Sequence, residues 1–316
     1  MRIDNHVHVG VDPLFYRNGW MPYCLDLPRL MGETADRGID RWVVFPFVSY
    51  VALDMSAMRA GRIELAQGDE ADVPYRFENR RLLNDLARLE PHQRGNFLPF
   101  LIADPGRQPS EQVREWETLG RSHRVHGIKI QATIIQSPIT ALLKEGSCML
   151  DFAAERNLPL LIHSSIDPAD RWSQCEDILR VVESRPAVRF VLAHSCRFHK
   201  ASLDRVAATP NAWFDCSAHI IHCRCAVNEL PAVARPSERF ASDFSSPARV
   251  LSDLFECYPD KLIWGSDAPF YSYEDERIQL RSSYREEVGV LDALSPEAQD
   301  RVSRANTLAW LGEPQP

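Results

Sequence analysis

Eight short apolar runs, separated by segments of helical character, constrain the fold of this chain most strongly. Each run has the length of a strand and is almost continuously apolar, which is typical of parallel strands covered on both faces. The runs lie at residues 2–9, 41–48, 97–103, 127–131, 158–163, 189–194, 212–217 and 261–267. Helices are predicted over 76–90, 138–156, 172–185, 201–208, 247–257 and 296–311, with an insertion over 49–75. Eight strand–helix units predict an α/β protein, a (β/α)8 TIM barrel with loop insertions at its C-terminal face.

The alternative fold is an open, doubly wound sheet. That fold would require a glycine-rich phosphate loop after the first strand, and the sequence has none there. The chain has 316 residues, 45% of them hydrophobic, which is enough for a sizeable core. Length alone suggests about two domains, but α/β barrels reach this size as one. We therefore predict a single barrel domain over residues 1–316.

Charge, apolar runs and cysteine content limit the classes of partner and the compartment that we expect for this protein. Lys plus Arg number 36 and Asp plus Glu number 44, and the net charge of −8 argues against a nucleic-acid binder or a polybasic membrane binder. No run approaches the roughly 20 apolar residues of a membrane helix, and the N-terminus shows no apolar core of a signal peptide. The eight cysteines form no CxxC pair and are expected to be reduced thiols. We expect a cytoplasmic protein that acts on a small molecule, with a homodimer as a further expectation.

The predicted barrel brings several polar residues to one end. His6 and His8 lie two residues apart on the first strand, so their side chains share a face. His163, His194 and Asp267 end the fifth, sixth and eighth apolar runs. Active sites of TIM barrels lie at the C-terminal ends of the strands, so these five side chains should converge. Imidazole and carboxylate groups are good ligands for Zn²⁺ or Mn²⁺, which predicts a metal site.

The same residues, in this order, resemble the amidohydrolase superfamily. The motifs are Asp-x-His-x-His at 4–8, Gly-Ile-Lys at 127–129, Leu-Ile-His at 161–163, Leu-Ala-His at 192–194 and Trp-Gly-Ser-Asp-Ala-Pro at 264–269, and the segment 304–308 resembles that family's closing helix. The resemblance covers almost the whole chain and points to the amidohydrolase-related branch, which holds metal-dependent hydrolases and ring-carboxylate decarboxylases. It implies that His6, His8, His163 and Asp267 hold one divalent metal, with His194 beside it as a supporting or acid/base residue.

The chemistry of these side chains agrees with that expectation. Three imidazoles and one carboxylate suit Zn²⁺ best, with Mn²⁺ as the alternative, and leave a position for water or substrate. Asp267 can bind the metal through one oxygen and take the proton of water with the other. His194 can hold the substrate or its developing oxyanion. Asp4 either orients a histidine ligand or caps the strand.

Four residues are predicted to contact the substrate: Lys129, Arg197, Trp20 and Tyr271. Lys129 is a substrate-contacting or structural lysine, or, as in binuclear members of the superfamily, a carboxylated bridge between two metals. Arg197 either anchors a substrate carboxylate or forms a surface salt bridge. Trp20 and Tyr271 belong to a set of loop aromatics that indicates a pocket for a flat or ring-shaped substrate. The set also contains Phe15, Tyr16, Trp172, Phe270 and Tyr273.

Two features depart from the family pattern. Relatives often have a histidine after the strand-four lysine, where this chain has Gln131. Residues 219–225 contain two histidines and two cysteines, but their spacing matches no standard zinc finger. A structural zinc is the less favoured interpretation of this segment, and a loop with incidental cysteines is the favoured one.

Three functions are consistent with the sequence. The first is metal-dependent hydrolysis of an amide, ester or lactone, and it is the prediction. The second is non-oxidative decarboxylation or hydration at the same site, which would make the protein a lyase. The third is a barrel that has lost its activity, which is disfavoured because every ligand position is filled.

Overall fold

The computed structural model describes residues 1–51, 53–62, 64–67, 73–275 and 278–314. Its main sheet contains β1 (Ile3–Val11), β2 (Cys24–Leu25), β3 (Arg41–Pro46), β4 (Phe97–Ala103), β5 (Gly127–Ile130), β6 (Leu160–Ile162), β7 (Phe190–Leu192), β8 (Ala212–Asp215) and β9 (Leu262–Ile263). The strand order is β2-β1-β3-β4-β5-β6-β7-β8-β9. Only β2 pairs antiparallel, so the other eight strands form one parallel series.

The sheet closes on itself just after β9. Ala268 forms a parallel bridge with Val7 on β1, and the backbone N–H of His8 donates to the Ala268 carbonyl at 2.7 Å. The prediction of an eight-stranded α/β barrel is therefore confirmed. A separate two-stranded hairpin, β10 (Tyr273–Glu274) and β11 (Gln279–Leu280), follows the closure.

Helices cover the outside of the barrel and fill its loops. They are α1 (Pro13–Asn18), α2 (Leu27–Thr34), α3 (Met55–Arg59), α4 (Arg76–Ala87), α5 (Pro91–Arg94), α6 (Pro109–Leu119), α7 (Ala132–Ile135), α8 (Ser147–Glu155), α9 (Cys175–Ser184), α10 (Lys200–Ala208), α11 (His219–Val227), α12 (Pro247–Cys257), α13 (Tyr284–Asp292), α14 (Pro296–Asp300) and α15 (Asn306–Leu311). Helices α1 and α2 lie in the connection between β1 and β3, and α3 lies in the insertion over 49–75. Residues 52, 63 and 68–72 of this insertion are outside the described residues.

Successive side chains on a strand face opposite sides of the sheet, and here both sides are buried, which explains why the apolar runs are continuous. On β3, Val43 and Phe45 belong to a cluster inside the barrel, whereas Val44 packs into the larger core between the strands and the helices. Both faces of the strand are buried, so no position requires a polar residue. The inner cluster is closed at the N-terminal end of the barrel by Leu308 and Trp310 of α15.

Six of the eight predicted strands are too long at their C-terminal ends, and three of these six were expected to carry site residues. The runs expected to reach His163, His194 and Asp267 end as strands at Ile162, Leu192 and Ile263. The polar residues leave the hydrogen-bonded ladder there and turn over the end of the barrel. The predicted helix over 138–156 is likewise divided, into a 3₁₀ turn at Ile139–Leu143 and α8.

The prediction of a loop over residues 219–225 is wrong, because these residues begin α11. Seven of the nine α11 residues are buried, so the helix has no polar face from which helical periodicity could be recognised. The sequence prediction also missed α6, which follows β4. No helix in the described part of the chain is long and apolar enough to cross a membrane.

Candidate active site

His6 and His8 point from β1 toward the carboxylate of Asp267. The Nε2 atom of His6 lies 3.1 Å from Asp267 Oδ1, and that of His8 lies 3.4 Å from the same oxygen. Asp267 follows β9 in a left-handed backbone conformation with φ of 61°, which is uncommon for a residue other than glycine. All three side chains are buried. The C-terminal ends of the first and eighth parallel strands thus bring two imidazoles and one carboxylate together.

The other ring nitrogen of each histidine is held by an acceptor. Nδ1 of His6 donates to Asp215 Oδ2 at 2.8 Å, and Nδ1 of His8 donates to the Pro46 carbonyl at 3.3 Å. In a neutral ring the proton is then on Nδ1, and the Nε2 lone pair faces Asp267. Burial, and secondarily the Lys129 charge, lowers the pKa of both histidines and favours their neutral form.

This arrangement fits a divalent cation. Asp267 Oδ1 is buried without a hydrogen-bond partner among the described residues, although two imidazole nitrogens face it. An imidazole lone pair that faces a carboxylate oxygen repels it unless a positive charge lies nearby. Lys129 Nζ lies 2.9 Å from His6 Nε2, but no donor contacts Asp267 Oδ1 among the described residues. In a tetrahedral zinc site with bonds of about 2.1 Å, neighbouring ligand atoms lie about 3.4 Å apart, close to the two nitrogen–oxygen spacings at Asp267 Oδ1.

His194 joins this group, and His163 lies one hydrogen bond farther away. Ligand atoms of His6, His194 and Asp267 all lie within 4.8 Å of one another. That group contains neither of the predicted ligands His8 and His163. His8 Nε2 approaches Asp267 Oδ1, at 3.4 Å, and His163 Nδ1 lies 3.0 Å from His194 Nε2. The role of His163 as a ligand remains a prediction, since both of its ring nitrogens have protein partners in this arrangement.

Arg197 determines which nitrogen of His163 carries the proton. Its guanidinium donates to the Ser164 carbonyl at 2.7 Å, to His163 Nε2 at 2.9 Å and to His222 Nε2. Because arginine only donates, the neutral ring of His163 is protonated on Nδ1 and donates to His194 Nε2. Arg197 is buried, and no carboxylate in the described part of the chain forms an ion pair with it. Among the described residues, its positive charge therefore has no carboxylate in direct contact, although the Asp267 charge acts on it from farther away.

A left-handed turn orients His194 and Arg197. All five residues of the segment His194–Phe198 have positive φ, from 48° to 62°. Such a conformation costs roughly 1–2 kcal/mol for each residue with a side chain, so other contacts must stabilise it. The backbone N–H groups of Ala234 and Phe240 donate to the carbonyls of Arg197 and Phe198, at 2.9 and 2.8 Å. The turn directs both functional side chains toward the pocket.

Asp215 connects the two halves of the site, and the sequence analysis did not recognise it. Its carboxylate accepts from His6 Nδ1, from the backbone N–H of His194 at 2.9 Å, and from Ser217 Oγ at 2.5 Å. Burial opposes its ionisation, but the charge and hydrogen bond of His6 outweigh burial and lower the pKa of Asp215 to about 2. Asp215 is the last residue of β8 and lies within the seventh apolar run, so a polar residue at this strand end was visible in the sequence.

Lys129 lies inside the barrel beneath the histidines. Its Nζ atom is 2.9 Å from His6 Nε2 and 4.9 Å from the centroid of the Phe45 ring, and the side chain is fully buried. Burial lowers the pKa of Lys129 to about 7. It does not line the pocket described below, which instead contains Gln131 from the same strand end.

A pocket of about 190 Å³ opens above these groups. Its polar floor contains His8, His163, His194, Arg197 and Asp267, and its wall is largely apolar. The lining residues on the wall include Phe15, Val48, Ile134, Ile221, Cys225, Phe270, Tyr273 and Leu280. His222, which α11 places on this wall, was not proposed as a site residue from the sequence.

Two predicted substrate contacts lie outside this lining. Trp20 packs against Phe15, with ring centroids 5.3 Å apart, and is half-buried. The hydroxyl of Tyr271 donates to Glu33 Oε2 at 3.0 Å. Neither residue is among the described residues that line the pocket, so their contact with a substrate remains a prediction.

Asp4 forms hydrogen bonds with the segment that follows β9, rather than with a histidine ring. Its carboxylate accepts from the backbone N–H and hydroxyl of Ser266, at 2.9 and 2.6 Å, and from the hydroxyl of Tyr284 at 2.9 Å. It also accepts from the backbone N–H of His6 at 3.2 Å. Asp4 therefore connects β1 to the segment that carries Asp267.

The histidines and cysteines of α11 do not form a second metal group. Cys223 Sγ lies 3.6 Å from His219 Nε2, which donates to the Pro247 carbonyl at 2.8 Å. Within the described ranges, the group of His6, His194 and Asp267 is the one in which three or more ligand atoms come together. The structural-zinc interpretation of α11 therefore has no geometric support.

Comparisons with known proteins agree with this architecture. A family model described as "Amidohydrolase" matches residues 3–312. A solved amidohydrolase from Burkholderia multivorans with bound Zn is 14% identical, with a TM-score of 0.62, and the match covers 99% of this chain and 100% of that chain. The 5-carboxyvanillate decarboxylase LigW from Sphingomonas paucimobilis is 14% identical, with a TM-score of 0.60 and 99% of each chain covered.

A third solved structure is the dihydroorotase from Campylobacter jejuni. It is 14% identical, with a TM-score of 0.54, and the match covers 100% of this chain and 84% of that chain. At these identities the similarity shows a shared fold. No curated protein matches the chain.

Proposed function

Because the chain belongs to the amidohydrolase family, whose model matches residues 3–312, we propose that it is a metal-dependent hydrolase. The proposed reaction is cleavage of an amide, ester or lactone bond in a small, ring-containing substrate. One observation carries the proposal: the lone pairs of His6 Nε2 and His8 Nε2 converge on an unpartnered oxygen of Asp267 at the floor of a pocket. The solved relatives include both hydrolases and a decarboxylase.

The residues proposed to hold the metal are His6, His8 and Asp267, with His163 as the fourth ligand. We propose one ion per chain, Zn²⁺ first and Mn²⁺ as the alternative, because imidazole and carboxylate ligands suit both. A bound divalent ion supplies Lewis acidity, which polarises a carbonyl oxygen and lowers the pKa of a water molecule.

Asp267 and His194 are the proposed acid/base and orienting residues. Asp267 has two oxygens with different surroundings: Oδ1 faces the His6 and His8 nitrogens, and Oδ2 lies 3.9 Å from His194 Nδ1. The second oxygen accepts the proton of the attacking water, which increases the nucleophilicity of that water. His194 holds the substrate carbonyl as its oxygen gains negative charge.

Arg197 is proposed to select a substrate that carries a carboxylate. A buried guanidinium without an acidic partner is costly, and an anionic ligand would relieve that cost by accepting two parallel hydrogen bonds. The apolar wall of the pocket, with Phe15, Phe270 and Tyr273, would pack against a flat ring.

Decarboxylation is the second candidate, and the same Arg197 observation favours it. An anionic pocket ligand is also what a carboxylate-releasing lyase binds, and one solved relative is a 5-carboxyvanillate decarboxylase. In that reaction Asp267 would give a proton to the ring carbon instead of taking one from water.

A substrate panel in ¹⁸O-labelled water separates the two reactions. Aryl amides, lactones and hydroxybenzoate-like acids would be incubated with metal-loaded protein, and the products analysed by mass spectrometry. Hydrolysis predicts label in a product carboxylate. Release of CO₂ from an aromatic acid, without turnover of any amide, ester or lactone, would replace the hydrolase proposal with the lyase.

A matched pair of variants connects the activity to the site. Asp267→Asn removes the proton acceptor and should reduce kcat by roughly 100-fold or more. Glu297→Gln changes one exposed carboxylate on α14 and should leave kcat unchanged.

A further inference from the structure

A second pocket, of about 320 Å³, lies at the N-terminal end of the barrel, opposite the candidate active site. Its floor is formed where β3, β4 and β5 begin, with Arg41, Phe97 and His126. Its walls come from the last turn of α4, from the end of α5 and from the segment Ser122–Arg124.

The polar lining of this pocket is mostly cationic or imidazole. It contains Arg41, Arg94, Arg124, His123 and His126, together with Ser122, and no carboxylate lines it among the described residues. This is unusual on a protein whose net charge is −8. The Glu313 carboxylate, which interacts electrostatically with Arg41, His126 and Arg124, offsets part of this charge, but three arginines against that one carboxylate leave the lining positive.

The arginines of this pocket differ in their partners. Arg41 is held by Glu313 through two hydrogen bonds of 2.7 and 3.0 Å. For Arg94 and Arg124, the described part of the chain shows no side-chain hydrogen bond or ion pair. Both are exposed, so their guanidinium groups are accessible to a ligand. The Nδ1 atom of His126 is buried and also lacks a partner among the described residues.

We propose that this pocket binds a small organic anion, with a phosphate or carboxylate group attached to an apolar ring. The planar guanidinium groups of Arg94 and Arg124 bind the oxyanion, because their N–H groups match its oxygens in pairs. The apolar part of the lining, with Leu83, Leu86 and Phe97, packs against the ring. The volume of the pocket lies in the usual range for small-molecule sites.

Titration calorimetry with phenyl phosphate and benzoate tests the proposal on the full chain. Arg94→Gln/Arg124→Gln removes the two unpaired guanidinium groups and should weaken binding roughly tenfold or more. The control Arg121→Gln/Arg285→Gln removes the same charge from two exposed arginines outside the pocket and should bind as the unaltered protein does. The probe with the lower Kd identifies the oxyanion as phosphate or carboxylate.

A third variant separates this pocket from the candidate active site. Binding is therefore also measured in an Arg197→Gln background, where the candidate active site has lost its proposed anion anchor. There Arg94→Gln/Arg124→Gln should still weaken binding roughly tenfold or more, because Arg197 lies at the other end of the barrel. The proposal is overturned if Arg197→Gln alone abolishes binding of both probes, if Arg94→Gln/Arg124→Gln binds as well as the control variant, or if neither probe binds at concentrations up to about 10 mM. Thermal unfolding of each variant shows that the fold is retained.

Discussion

At the scale of single residues, His6 and His8 each use one nitrogen for support and leave the other facing Asp267. We expect about one divalent ion per chain when the protein is expressed with added Zn²⁺ or Mn²⁺. His6→Ala/His8→Ala should remove it, because two of the converging lone pairs are lost. Lys129→Met is the matched variant: it keeps the volume of the buried side chain and should keep the ion. Elemental analysis measures both, and loss of metal in Lys129→Met would indicate a bridging lysine instead.

Asp215 illustrates how a residue without metal contact supports the site. Asp215→Asn keeps the size of the side chain but replaces an acceptor oxygen with an N–H₂ group, so at least one of its four donors loses its partner. We expect metal affinity to fall by roughly 10- to 100-fold. Calorimetric titration of metal-free protein measures the change. The exposed Asp36→Asn is the control, and equal affinities in the two variants would contradict the role of Asp215.

Because the carboxyl group of Glu287 is buried, we expect the stability of the protein to depend on pH. Its Oε1 accepts from the Ile220 backbone N–H at 3.3 Å, its Oε2 has no partner among the described residues, and burial raises its pKa well above 4.5. As pH rises through 4.5 the unfolded chain loses this proton first, so the native state loses stability until the folded pKa is passed.

Glu287→Gln removes that penalty. Urea unfolding should show little advantage of the variant near pH 4, below the unfolded pKa, and an advantage that grows as pH rises from there to the folded pKa. The exposed Glu297→Gln should show no such trend. An advantage that does not change with pH would mean that the carboxyl of Glu287 stays charged in the native state.

At the scale of elements, the ends of the strands could be predicted in part. The position and length of the apolar runs predicted the ends of β1 and β4 to within about two residues. The five positive φ angles of His194–Phe198 could not be predicted, because none of these residues is glycine and the turn depends on contacts with Ala234 and Phe240. The sequence therefore indicated that His6, His194 and Asp267 would lie near one another, and the structure places their ligand atoms within 4.8 Å of one another. Distant segments determine how His194 and His163 are oriented.

The end of α11 provides a prediction at this scale. Glu229 has φ of 52° and follows the helix in a Schellman arrangement: its N–H donates to Ala226 O at 3.3 Å, and that of Leu230 donates to Cys225 O at 2.9 Å. Glu229→Gly should raise the free energy of unfolding by about 1 kcal/mol, because glycine adopts this conformation without strain. Chemical denaturation measures it.

The control for this prediction lies inside a helix. Glu117 is exposed on α6, where Glu117→Gly should lower the free energy of unfolding by about 1 kcal/mol. If glycine destabilised the protein at both positions, the left-handed end of α11 would not be a source of strain.

At the scale of the whole molecule, the barrel was predictable because both faces of its strands are buried. The same reasoning failed for α11: a helix that is buried on all sides has no alternation of polar and apolar residues to reveal its period. Burial on every side thus helps to identify a strand in a barrel and conceals a helix.

The helix α15 closes the N-terminal end of the barrel and packs into its inner cluster. Trp310 is fully buried in the inner cluster, its ring lies 5.4 Å from that of Phe100, and its carbonyl accepts from Arg189 Nε at 2.6 Å. That cluster also contains Ile3 and Ile263, from the first and last strands of the parallel series. Trp310 therefore packs in a core shared by strands that are far apart in the chain.

Trp310→Ala should lower the free energy of unfolding by about 3–5 kcal/mol, because it removes a buried ring and leaves a cavity. Unfolding should remain a single transition, since the cavity weakens contacts with several strands at once. Phe77→Ala, at a side chain that is 45% exposed, should cost less than about 1 kcal/mol. Denaturant unfolding followed by circular dichroism measures both variants. A loss below 1 kcal/mol for Trp310→Ala, or a separate early transition, would show that α15 packs on a barrel that is already stable without it.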